Sequence, residues 1–116
     1  NVAAANNVKA EVTFMNSYPV TYNDPELYEK MLPTLIRVCG ADNVNYMDAI
    51  TGAEDFSFFQ KEVPGVYFFI GGTSKGMDLD KVAPHHTPDF YVDDSALETG
   101  VVSMTSLTLD YFTKGL

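Results

Sequence analysis

An α/β architecture, a short sheet with helices packed on it, is the fold class that the sequence predicts, and three observations predict it. Strand-like and helix-like segments alternate along the chain. A continuous apolar run, residues 66–70, sits between Pro64-Gly65 and Gly71-Gly72, the pattern of a strand covered on both faces. Apolar residues make up 46% of the 116, enough for one domain-sized core.

Residues 8–14 alternate, with Val8, Ala10, Val12 and Phe14 on one face and Lys9, Glu11 and Thr13 on the other, which predicts a strand with one wet face. Tyr18-Pro19 breaks that pattern. Asn23-Asp24-Pro25 then starts a helix, because a side-chain oxygen caps free N–H groups and proline fits the first turn. The helix should run to about Cys39 on an apolar face of Leu27, Met31, Leu35 and Val38, and Gly40 should end it in a left-handed turn. Pro33 removes an interior hydrogen bond, so a bend or break is expected near Lys30. Residues 44–50 have weak strand character and lead into a loop and short helix ended by Pro64-Gly65. Residues 66–70 are the expected sheet centre, and residues 73–92, without periodicity, form a long loop able to carry function. Asp93-Asp94 opens the last helix, whose apolar stripe reads Leu97, Val101, Met104, Thr108 and Tyr111. Such a thin sheet needs cover on both faces, so exposed apolar surface and association with a partner are expected.

Charge and composition exclude several classes. Sixteen acidic against seven basic residues give a net charge of -9, which repels nucleic acid and anionic membranes. No apolar run approaches a membrane span of roughly 20 residues, and the cytoplasm is the default compartment. A single cysteine, Cys39, forms neither an internal disulfide nor a metal cluster and reads as a packed thiol. The opening Asn1-Val2-Ala3, without Met, reads as a cut chain or a processed product.

Two places could carry chemistry. Pro84-His85-His86-Thr87-Pro88 combines imidazoles with prolines that restrict the loop, yet two adjacent histidines cannot complete a metal site alone, and the plain alternative is a solvated surface loop. Glu54-Asp55 could orient a ligand imidazole, bind a cation or work as acid and base, whereas the simpler account is an acidic start that favours a short helix. Gly71-Gly72-Thr73 lacks the longer phosphate fingerprints, the Phe and Tyr cluster from 56 to 69 is assigned to core packing, and no serine has a nucleophile elbow.

Taken together, Gly52-Ala53-Glu54-Asp55-Phe56-Ser57, the run from Val63-Pro64-Gly65 to Ile70-Gly71, and His86-Thr87-Pro88-Asp89-Phe90 ahead of an acidic-capped helix resemble one family. It is the aminoacylase and carboxypeptidase metallohydrolases, in the branch with hippurate hydrolase and the plant auxin-conjugate hydrolases. Tyr18-Pro19 through Asn23-Asp24 resembles that family's return from an inserted lid to the catalytic domain, and the resemblance covers nearly the whole chain.

The resemblance implies a partial catalytic domain of a two-domain metallohydrolase. Residues 1–17 would be the last strand of the inserted lid or dimerisation domain, and residues 18–116 the C-terminal part of the catalytic domain. It implies two divalent ions, zinc or manganese, a metal-activated water, a glutamate base, an N-acyl amino acid or small peptide as substrate, and a homodimer as one assembly of the parent. By the same resemblance His86, immediately before Thr87-Pro88, would take the metal-ligand position, with His85 second, and Gly52, Glu54 and Asp55 would lie near the substrate or support the ligand. The family's Cys-x-His, its Glu-Glu pair and its other ligand histidine have no counterpart here. This polypeptide alone is therefore expected to hydrolyse nothing and to hold no metal firmly. The competing reading is a non-catalytic α/β binding or interaction module derived from such an enzyme.

Overall fold

The computed structural model of the chain describes residues 2–115; Asn1 and Leu116, the outer ends of the two expected units, lie outside the described residues. Every regular element among the described residues is a helix: α1 (Val2–Ala5), α2 (Pro25–Cys39), α3 (Phe56–Glu62) and α4 (Ser95–Lys114), with 3₁₀ turns at Ala41–Asn43 and Leu79–Lys81. No strand forms among the described residues, which overturns the expected sheet. A helix pairs its backbone within itself, whereas a strand needs a neighbour. Residues 8–14, 44–50 and 66–70 find no ladder: Val12 and Phe14 are exposed, and Tyr67 is bonded by a side chain instead of a strand.

The α1 segment was not foreseen. It closes with Asn7 at φ 53°, its N–H donating to the Ala4 carbonyl while that of Val8 donates to the Ala3 carbonyl, the pair of hydrogen bonds by which a left-handed residue ends a helix.

The α2 helix has the expected bounds. Asp24 caps it, its Oδ1 accepting the Leu27 N–H at 2.8 Å, and Pro25 fills the first turn. Pro33 does not break it. Gly40 takes positive φ as expected, at 84°, but its ψ of 144° lies outside the left-handed helical region; its N–H still closes on the Ile36 carbonyl.

The main helix contact is α2 against α4, and it runs through a face of α4 different from the one expected. Ser103, Leu107 and Asp110 are buried and Ala96 and Gly100 half-buried, while Leu97, Val101, Met104, Thr108 and Tyr111 are exposed. The packed stripe is thus displaced by one residue, about 100° around the helix. What selects it is polar. Asp110, 7% exposed, accepts the Thr34 hydroxyl at 2.6 Å and Arg37 Nη2 at 2.9 Å through Oδ2, and meets Lys114 Nζ at 2.8 Å through Oδ1. Lys114 first, then Thr34 and Arg37, hold the Asp110 carboxyl well below the usual carboxylate range. Cys39 Sγ lies 3.6 Å from Ser103 Oγ in the same seam, half-buried as a packed thiol.

Among the described residues, Leu35 and Leu107 are the large apolar side chains that are buried. The radius of gyration, 19.8 Å, far exceeds the roughly 13 Å of a compact chain this long. No helix among the described residues is long and apolar enough to cross a membrane.

Candidate functional site

Glu54 sits at the entrance to α3 with both carboxylate oxygens engaged. Oε1 accepts the Phe56 N–H at 3.1 Å and Oε2 accepts the Tyr67 hydroxyl at 3.0 Å. The Phe56 N–H is the leading reason that the Glu54 carboxyl titrates below its ordinary value, followed by the Asp55 side chain and Tyr67. Its hydrogen bond to Glu54 pushes the Tyr67 phenol up. The Glu54 carbonyl accepts the hydroxyl of Ser57, a buried residue, at 2.6 Å, which ties the loop to the first turn of α3.

Tyr67 is fixed at its root. Asn23 Nδ2 donates to the Tyr67 carbonyl at 2.8 Å and Asn23 Oδ1 accepts the Tyr67 N–H at 2.7 Å, so one amide makes the pair of bonds a neighbouring strand would make. Beside it the Asp24 N–H donates to the Gly65 carbonyl, and Gln60 links Tyr22 to that carbonyl. Gly65 is required by close approach: a Cβ would stand 2.9 Å from Gln60 Cγ and 3.2 Å from the Phe56 ring. The rings of Phe56 and Phe69 flank Tyr67 at centroid distances of 5.7 and 5.2 Å. Core packing describes only part of this aromatic cluster, because Phe58, Phe59 and Phe69 are exposed.

The histidine turn is a second centre. His86 has φ 64°, a left-handed conformation that non-glycine residues adopt at a cost of roughly 1–3 kcal/mol. Thr87 Oγ1 closes the turn on the Pro84 carbonyl at 2.7 Å, and the Phe90 N–H donates to the Thr87 carbonyl. His85 points elsewhere: its ring meets Phe90 edge-on at 4.8 Å and lines an apolar groove of about 630 Å³ with Ile70, Val82, Leu97 and Val101. The two imidazoles are 6.4 Å apart and nearly perpendicular. Both residues are exposed.

A third cluster joins the loop after residue 70 to α4. Ser74 Oγ donates to Asp93 Oδ2 at 2.5 Å, the Ser95 N–H donates to Asp93 Oδ1, and the Asp93 N–H donates to the Gly72 carbonyl at 2.8 Å. Ser74, then Ser95, bring the Asp93 carboxyl down to about 2. Asp93 rather than Asp94 therefore engages the start of the helix. Gly72 has a packing reason, since a Cβ there would come within 2.9 Å of Val92.

The partners of Glu54 are thus Phe56 and Tyr67 rather than a histidine, while Asp55 and Gly52 are exposed and Gly52 has open space around it. A zinc-type centre takes three or four protein ligands. Among the described residues no three His, Cys, Asp or Glu side chains come together to hold a metal, so these residues do not by themselves fit the implied two-metal centre. Asn23 and Tyr67 were missed as site residues. Asn23 read as part of the helix cap and Tyr67 as core, and no local periodicity marks a bond across 44 residues.

The chain is 32% identical over 105 residues, 90% of its length, to "Thermostable carboxypeptidase 2" of Saccharolobus solfataricus, and covers 25% of that protein. It is 30% identical over 113 residues, 94% of its length, to "IAA-amino acid hydrolase ILR1-like 4" of Arabidopsis thaliana, again covering 25%. The chain therefore spans about a quarter of the length of the curated relatives it matches. No solved structure matches it. The model of peptidase family M20/M25/M40 matches residues 3–110, and the chain belongs to that family.

Proposed function

We propose that the chain supplies the C-terminal part of the catalytic domain of a metal-dependent amidohydrolase acting on N-acyl amino acids or small peptides. The substrate class follows the names of the relatives, a carboxypeptidase and an IAA-amino acid hydrolase. His86 is the residue assigned to the metal. The observation that carries this is its left-handed backbone: a non-glycine residue is kept at φ 64° inside a turn closed by Thr87, and strain of this kind concentrates where a side chain must be aimed. His85, packed on Phe90, is the weaker choice. His86 is a single donor, zinc or manganese is the ion class, and the remaining donors and the general base come from outside these residues. Glu54, Asp55 and Gly52 border the substrate.

The test is hydrolysis of a panel of N-acyl amino acids with added zinc or manganese, comparing the full-length protein, its His86→Ala variant and this 116-residue chain. Activity in the full-length protein, loss of at least about a hundredfold with His86→Ala, and none in the chain alone is the expected pattern. A full-length protein indifferent to His86 would remove the assignment. The competing reading, a non-catalytic binding or interaction module, draws on the exposed apolar stripe of α4 and gains if the full-length protein is inactive on the whole panel.

A further inference from the structure

Within the hydrolase proposed above, on which this step rests, we infer that Tyr67 is a positioning residue for Glu54 and that Asn23 holds Tyr67 in place. A free glutamate samples several rotamers, and ordering it when substrate arrives costs binding energy. Here the ordering is done in advance. The Phe56 N–H takes one oxygen and the Tyr67 hydroxyl the other, so the carboxylate plane is fixed at two points. An ionised carboxylate has about four acceptor sites, and these two bonds leave it room for a further N–H or O–H donor. Glu54 is half-buried, so the remaining sites stay reachable from outside.

The fixing extends backwards through the fold. Placing a tyrosine hydroxyl begins with placing its backbone, and Asn23 pins both backbone polar groups of Tyr67 within 2.8 Å. Asn23 directly precedes Asp24, the cap of α2, so the anchor of Glu54 is the start of the longest well-capped helix in the first half of the chain. Phe56 and Phe69 limit the ring's remaining freedom. The raised Tyr67 phenol agrees with a hydroxyl that keeps its proton and donates it.

The test uses the full-length protein with Tyr67→Phe, Glu54→Gln, the double variant and Asn23→Ala. Tyr67→Phe removes one oxygen and little volume. It should raise KM about tenfold while kcat changes less than about threefold, the mark of lost pre-ordering in binding. The double variant should be no worse than Glu54→Gln alone, because Tyr67 acts through Glu54. Asn23→Ala should shift KM in the same direction. A purely structural Tyr67 would lower the melting temperature, leave KM alone and multiply its effect with Glu54→Gln, which would overturn the inference. Side-chain NMR of Glu54 supplies a readout independent of turnover: its titration midpoint should rise in Tyr67→Phe, and an unmoved midpoint would overturn the contact itself. Inactivity of the parent on every substrate, with the midpoint shifted, would instead sink the hydrolase reading and leave the contact standing.

Discussion

Two stripes one residue apart compete to be the buried face of α4, and a pair of truncations decides between them. Leu107 is 6% exposed and packed in the seam with α2, whereas Val101, in the stripe with the stronger apolar pattern, is 67% exposed. Truncating a buried leucine costs the lost transfer energy plus a cavity, about 2–5 kcal/mol. Here the two-helix seam has little around it to hold a cavity open, so the lower end, about 2–3 kcal/mol, is expected for Leu107→Ala. Val101→Ala removes contacts that are mostly with solvent and should stay within about 0.5 kcal/mol. Urea denaturation of the 116-residue chain, followed by far-ultraviolet circular dichroism, measures both. If Val101→Ala costs as much as Leu107→Ala, α4 is rotated from this packing and Asp110 does not select its buried face.

Two other consequences are more local. Asp93 and Glu54 both titrate lower in the folded chain than their usual 3.8 and 4.5, so the folded state binds fewer protons than the unfolded one across that interval. Their contribution is complete above about pH 5 and is lost as pH falls toward about 2; Ser74→Ala should flatten the fall of the urea midpoint in that window, and an unaltered pH profile would remove the role given to the Ser74 bond. Gly65→Ala forces a Cβ against Gln60, which is pinned at both ends, and against the Phe56 ring, so a loss of about 1–3 kcal/mol is expected. A denaturation midpoint equal to the parent's would show that this corner is loose.

What could be read from the sequence divides along the range of the forces involved. The bounds of α2 were readable because its cap, its first-turn proline and its terminal glycine all act within a few residues. The α4 helix was readable as a helix but not in its orientation, since hydrophobic periodicity cannot foresee that Asp110 will be bonded by Thr34 and Arg37, more than seventy positions earlier. The sheet failed for a related reason. An apolar run such as residues 66–70 shows only that burial on two faces would suit it, and pairing depends on neighbours that this chain does not place beside it. His86 was readable as a candidate from its proline-bracketed turn, but its left-handed backbone was not, and Tyr67 was hidden among aromatics that read as packing.

The distribution of order bears on how such a site is assembled. Most bonds that shape the two functional centres are short in sequence: Thr87 to Pro84, Phe56 and Ser57 to Glu54, and Tyr67 to Glu54. The histidine turn can therefore form before the chain around it is compact, whereas the Glu54 cradle is complete only once Asn23 has bonded Tyr67 across 44 residues. Among the described residues no donor cluster joins them. The division is physically sensible, because aiming a side chain requires local rigidity, whereas gathering several donors around one ion requires long-range contacts that cost chain entropy. Residues that aim can be legible in a quarter-length segment of the family. The chemistry that needs them all together cannot be, and a variant that melts the Glu54 cradle should leave the His86 turn intact.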